Sequence, residues 1–261
     1  MIIDTHCHLH DAAYADLRGA LTLAVEHEVW GVLAVGCDPD TNRRTLDAAL
    51  ASGKTVWPAL GFHPEWAQLT DDDLGRVEEQ VRLHHSRIVA LGEIGLPWYS
   101  LAGAADAAEL MTRGRERFTA LLKLAARFDL PVAIHAPHGA AQGALESLRV
   151  ADIDRAVFHW HKAPVEVTRD ILDAGYFVSV TPELVYRERH RELVELAPLD
   201  SILVESDGPW PYQGEFDGMP SGPWLVARVA EEVAKIKRLP VDETMYRLSA
   251  NACRLFDLPW A

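Results

Sequence analysis

The sequence predicts an α/β protein built as a closed (β/α)8 barrel, on three observations. Short runs rich in Val, Ile and Leu recur eight times along 261 residues, each of strand length. Stretches with helical spacing lie between them, and that alternation requires a parallel sheet. The runs are almost continuously apolar, as strands buried on both faces should be, and eight repeats favour closure over an open doubly wound sheet.

In chain order, residues 2–3 form the first strand, and Leu17, Leu21, Ala24 and Val25 make the apolar stripe of the helix behind it. Residues 31–35 and 55–60 are the second and third strands. Leu74, Val77 and Val81 stripe a helix ahead of the fourth strand, 88–91. Phe118, Leu121, Leu122 and Ala125 stripe the next, ahead of the fifth strand, 131–134. Helices at 143–148, 165–172, 184–196 and 225–236 alternate with strands at 156–158, 176–180 and 202–204. A last helix spans 241–256. Gly31, Gly53 and Gly175 stand where helices should stop. Segment 207–223, dense in Gly, Pro and aromatic residues, is expected to be a long ordered loop. No linker or composition shift divides the chain, so residues 1–261 are expected to form a single domain.

Lys and Arg number 25 against 39 Asp and Glu, a net charge of −14. An acidic chain lacks the charge footprint of a protein that tracks duplex nucleic acid. No apolar run reaches the ~18 residues of a membrane span. Cys7, Cys37 and Cys253 are scattered and odd in number, against a disulfide framework. With no basic, apolar leader at Met1, a cytoplasmic protein without a membrane or an obligate protein partner is expected.

The informative feature is where ligand-type residues fall. His6 and His8, spaced by two after the first strand, point to the same side of an extended segment. Glu93, His135, His159 and Asp207 close strands four, five, six and eight. In a barrel these ends converge on one mouth, where active sites of this architecture are built. A lone His at a strand end is usually a satisfied polar residue, but six ligand-type residues at five strand ends are not a chance pattern. Imidazole and carboxylate together suit borderline divalent cations, and six ligands exceed one tetrahedral site. Two ions sharing a carboxylate are therefore expected. His27, His84, His85 and His190 fall in helical stretches and are read as surface residues, while His10, His138 and His161 flank the proposed mouth. Cys7 alternates away from its His neighbours and is read as packing.

Seven pieces, in order, then carry a resemblance: IDTHCHLH at 3–10, ALGFHPE at 59–65, ALGEIGL at 90–96, FDLPVAIHA at 128–136, AVFHW at 156–160, LVESDGPW at 203–210 and NACRLFDL at 251–258. Over nearly its whole length the chain resembles the TatD family of metal-dependent hydrolases. The resemblance implies a TIM barrel, two divalent ions (Zn, Mn, Mg or Ni) and hydrolysis of phosphodiester bonds, usually as a deoxyribonuclease. By position, His6, His8 and Asp207 would hold one ion, His135 and His159 the second, and Glu93 would bridge them. His63 would lie near the substrate phosphate. Asn251 and Arg254 would be structural. Asp207 is the expected proton acceptor.

The chain departs from the family pattern at four places. Pro137 stands where H-x-R supplies an Arg, Pro97 replaces the Asp of GLD, Leu121 replaces the Gln of F-x-x-Q-L, and His161 replaces the Phe of H-x-F. His138 and His161 are expected to compensate in part as substrate contacts. The expected partner is nucleic acid, cleaved weakly, or a small phosphate or carboxyl ester; deacylation of aminoacyl-tRNA is the related alternative. Arg187, Arg189 and Arg191, and the mouth aromatics Trp98, Tyr99, Trp160, Trp210 and Tyr212, could meet a backbone and stack on bases.

Overall fold

The computed structural model describes residues 1–259. Its parallel strands are β1 (Ile2–Cys7), β2 (Val29–Val35), β3 (Val56–Leu60), β4 (Ala90–Gly95), β5 (Val132–His135), β6 (Ala156–Phe158), β7 (Phe177–Val180) and β8 (Ile202–Val204), adjacent in chain order. The ring closes between β8 and β1 through the backbone of the ligand segments. Asp207 N–H donates to the His6 carbonyl at 2.9 Å, and His8 N–H to the Gly208 carbonyl at 2.8 Å.

Outside lie α1 (Leu17–Glu26), α2 (Pro39–Ala51), α3 (Asp71–His84), α4 (Ala107–Phe128), α5 (Ala140–Val150), α6 (Val165–Asp173), α7 (Glu188–Leu196), α8 (Val226–Lys237) and α9 (Val241–Phe256). No apolar stripe announces α2, because its buried face carries Thr41, Asn42 and Thr45. It starts instead on a capping box, with Thr41 N–H on Asp38 Oδ1 at 2.6 Å and Pro39 in the first turn. The helix expected from residue 184 splits into a 3-10 turn at Pro182–Val185 followed by α7. The loop at 207–223 holds the short turn Gly214–Phe216 and leads into Pro223–Leu225.

Strand alternation divides the apolar residues into two layers. Ile2, Val32, Val56, Leu91, Val132 and Phe158 face the helices. Ile3, Leu33, Val35, Trp57, Val157, Phe177 and Leu203 fill the interior, where Leu255, Phe256 and Leu258 close the bottom. With that end plugged, the mouth at the C-terminal ends of the strands is left for polar chemistry.

Asn251 fixes the plug. Buried in α9, it donates Nδ2 to the Leu199 and Ile202 carbonyls, both at 2.8 Å. Arg254 reaches the Asp200 carbonyl and lies over the Phe177 ring. Asn251→Ala strands two buried carbonyls and should cost ~2–5 kcal/mol, read as a lower urea midpoint at an unchanged slope.

Candidate metal centre

Two strands deliver their ligands through irregularities in the ladder. Asp4 pairs with Val32 and Cys7 with Ala34, so one extra residue is fitted in around His6. Leu91 pairs with Val132 and Ile94 with Ile134, which fits an extra residue in beside Glu93. Such bulges re-aim side chains that regular pleating would place elsewhere. The Glu93 backbone also passes very close to Gly61. A Cβ at position 61 would meet Glu93 N at 2.2 Å, so only glycine lets the chains pass there.

The Glu93 carboxylate lies buried at the centre, and its two oxygens face different imidazoles. Oε2 is 3.4 Å from His6 Nε2 and 3.7 Å from His8 Nε2. Oε1 is 2.7 Å from His135 Nδ1, 2.7 Å from His159 Nε2 and 3.2 Å from His63 Nε2. Asp207 Oδ1 completes the first group, 3.5 Å from His6 Nε2 and 3.3 Å from His8 Nε2. The structure thus brings the six expected ligands together, with His63 beside them rather than apart.

The donors fit divalent ions on an internal criterion. Both nitrogens of His6 and Oδ1 of Asp207 are buried without a hydrogen-bond partner. Buried polar atoms are rarely left so unless an ion or water satisfies them. Triads such as His6, His8 and Glu93, or His63, Glu93 and His135, each offer ligand atoms within 4.8 Å of one another. Two such groups share one carboxylate.

Electrostatics agree. Burial pushes His159 down, but Glu93 and Glu205 outweigh it and raise the ring to about 10. His135 likewise rises against burial, held by Glu65 and Glu93. Burial pushes Glu93 up, and His63, His159 and His135 outweigh it, holding the carboxyl well below its usual range. The same contest lowers Asp207, through His8 and His6.

Three supporting residues lie inside the pieces that carry the resemblance, at 3–10, 59–65 and 203–210, but are not among the expected site residues. Asp4 Oδ1 accepts from His6 N–H at 3.1 Å and Ser206 N–H at 3.0 Å, tying the segments that carry His6 and Asp207. Glu205 accepts the Trp160 N–H at 2.7 Å and faces His159 Nδ1 at 3.4 Å, orienting that ring. Glu65 accepts from the backbone of Trp98, Tyr99 and Ser100 and reaches His135 Nε2 at 3.2 Å. Glu205 and Asp4 each lie two residues from a ligand on the same strand end, a period that could have marked them.

The flanking histidines separate. His63 and Pro137 line the cavity of about 740 Å³ above the ligands, together with Lys162, Trp160 and Trp210. His138 sits at the rim against the rings of Trp98 and Tyr99. His161 does not face this cavity. Trp160 turns the chain at φ 39°, so strand alternation stops there, and His161 Nε2 meets Thr168 Oγ1 of α6 at 2.8 Å. It lines a second cavity between α6 and α7, with its pKa lowered to about 3 by burial. His190, expected on the surface, is buried, with Nε2 on Glu183 Oε2 at 2.9 Å. The arginine cluster is committed to ion pairs, Arg189 with Glu183 and Arg191 with Glu232.

Protons on His135 and His159 must leave before those rings accept an ion. Zn²⁺ affinity, measured by competition with a chromophoric chelator from pH 6 to 8, should therefore rise roughly tenfold per pH unit for each proton displaced. Glu93→Gln should abolish stoichiometric binding of both ions together, because the amide carries no charge and has only one oxygen where the two groups face two.

Residues 3–257 match the family described as TatD related DNase. Across 98% of this chain and 98% of the relative, 30% of residues are identical to an uncharacterized metal-dependent hydrolase, YjjV, of Escherichia coli K12. The crystal structure of that TatD homologue covers 99% of this chain and 98% of its own, with a TM-score of 0.88 and 27% identity. The human deoxyribonuclease TATDN3 is 26% identical, over 98% of this chain and 94% of its own length. On a match that takes in nearly the whole barrel and every proposed ligand, the chain belongs to the TatD-related DNase family.

Proposed function

We propose that the chain is a dinuclear metal-dependent hydrolase of ester bonds, with the phosphodiester at a nucleic-acid end as its substrate. The observation that carries this reading is the division of labour on Glu93, with imidazoles set against each oxygen. His6, His8, Glu93 and Asp207 would hold one ion, and Glu93, His135 and His159 the other. A pair of divalent ions supplies Lewis-acid activation of water and of the phosphoryl oxygen.

The chain's own residues do the rest. Asp207 lines the cavity and is held in its ionised form, so it is placed to take a proton from the attacking water. Glu205 keeps His159 turned toward Glu93, and Asp4 holds the first ligand pair in register with Asp207. His63, with Nδ1 accepting from Glu65 N–H at 3.2 Å, presents Nε2 toward Glu93 and the substrate space. His138 serves at the rim as a neutral donor, its pKa lowered by burial and by the charges of Arg189 and Lys162.

An unpaired strand or a short end suits this site better than a duplex. Its rim is aromatic, through Tyr99, Trp160 and Trp210, and the net charge of −14 disfavours a long polyanion. Free thiols at Cys7, Cys37 and Cys253 fit a reducing, cytoplasmic setting, and no helix among the described residues is long and apolar enough to cross a membrane.

Protein reconstituted with excess Zn²⁺ or Mn²⁺ and desalted should carry two equivalents by elemental analysis. Asp207→Asn should lower turnover of single-stranded DNA ends by at least ~10²-fold while the circular dichroism spectrum is unchanged. Turnover of aminoacyl-tRNA or simple carboxyl esters, with DNA ends and RNA ends inert, would move the assignment from phosphoryl to acyl chemistry.

A further inference from the structure

Lys162 is the one Lys or Arg that lines the cavity above the metal ligands, among the described residues. Its amine lies 3.5 Å from the centre of the Trp160 ring. No carboxylate or carbonyl among the described residues stands within hydrogen-bond distance of it, and the residue borders both this cavity and the one between α6 and α7.

The arrangement holds the amine in place without an ion pair among the described residues. Trp160 is a fixed platform: its backbone N–H donates to Glu205 Oε1 at 2.7 Å, and its Nε1–H donates to Glu183 Oε2 at 3.1 Å. Trp210 packs edge-on against the ring at 5.4 Å. Glu183 is the acid that could quench Lys162, but its Oε2 already accepts from Trp160, His190 and Arg189. A cation stacked on an indole stays positioned while keeping its hydrogen-bonding capacity for another group. On the opposite wall, Pro137 offers no charge.

Taking the hydrolase reading as its basis, we infer that Lys162 is the specificity-determining cation of this cavity, binding a non-scissile phosphate next to the ester being cleaved. One cation in a cavity of about 740 Å³ matches one additional phosphate, as on a short or terminal oligonucleotide, rather than a run of them. The wall beyond Lys162 supports the same limit. Past Lys162 and Arg189, the second cavity is lined by Glu192 and Glu195, which repel a continuing backbone.

The test uses zinc-loaded protein and three probes: dithymidine phosphate, its 5′-phosphorylated form and its 3′-phosphorylated form. Lys162→Met keeps the stem that packs on Trp160 and removes the charge. It should raise KM for one phosphorylated dinucleotide ~10–100-fold, the value of a lost charge-assisted hydrogen bond, with kcat and the unphosphorylated probe within about twofold. Lys162→Arg should restore most of the loss. A fall in kcat with KM unchanged, or an equal loss on all three probes, overturns the assignment and makes Lys162 a structural cover for Trp160. If none of the probes is turned over, the phosphodiesterase reading fails separately, and calorimetry still decides on Lys162. The phosphorylated dinucleotide must then bind the unmodified protein more tightly than Lys162→Met, and equal binding or none overturns the inference.

Discussion

A carboxylate buried at the mouth of the barrel and shared among five imidazoles sets the terms for everything around it. Glu93 sits where water cannot solvate its charge, and burial alone would drive it to protonate. It stays ionised because His63, His159 and His135 face one of its oxygens, while His6 and His8 lie against the other. The backbone is bent to serve that arrangement. The ladder slips beside Glu93 and beside His6, and position 61 has no side chain so that the fourth strand can pass. Such a cluster of donors has no purpose in packing, since the hydrophobic layers lie below it and outside it.

Around that centre, acids orient the ligands instead of binding at the middle themselves. Asp4, Glu65 and Glu205 each bond to a backbone N–H and to the setting of a ligand ring in one stroke. Much of the net negative charge that looks unsuited to phosphate chemistry is therefore spent on holding geometry or lies on the outer helices. Within the cavity the balance differs: divalent ions held by the imidazoles and carboxylates would, with Lys162, present positive charge to a ligand. Local composition, and not the sum over the chain, decides what can enter.

Much of this was legible in the sequence because the barrel is repetitive and its signals add up. Eight apolar runs gave the strands, and the position of His, Glu and Asp at their ends gave the cluster. Three features escaped for identifiable physical reasons. Helix α2 has a polar buried face, so periodicity of apolar residues could not reveal it. His161, two residues past His159 in the H-x-F position, reads as flanking the mouth, but the positive φ of Trp160 turns it away. His190 looked like surface on a charged helix, yet Glu183, brought back by the turn before α7, gives it a buried partner. Lys162 had no motif at all. Its meaning rests on the ring beneath it and on the engagement of Glu183 elsewhere, which are facts of three dimensions.

The seam between β8 and β1 is made by the backbone of the ligand segments, with Asp207 bonded to His6 and Gly208 to His8. His6 and His8 are synthesised well before Asp207, with seven strands between the two segments. A ribosome-bound fragment lacking the eighth strand would therefore have no complete first ion site, whatever local structure it has acquired. Capture of that ion, and with it the carboxylate proposed to accept the proton, would wait for the segment that follows the eighth strand.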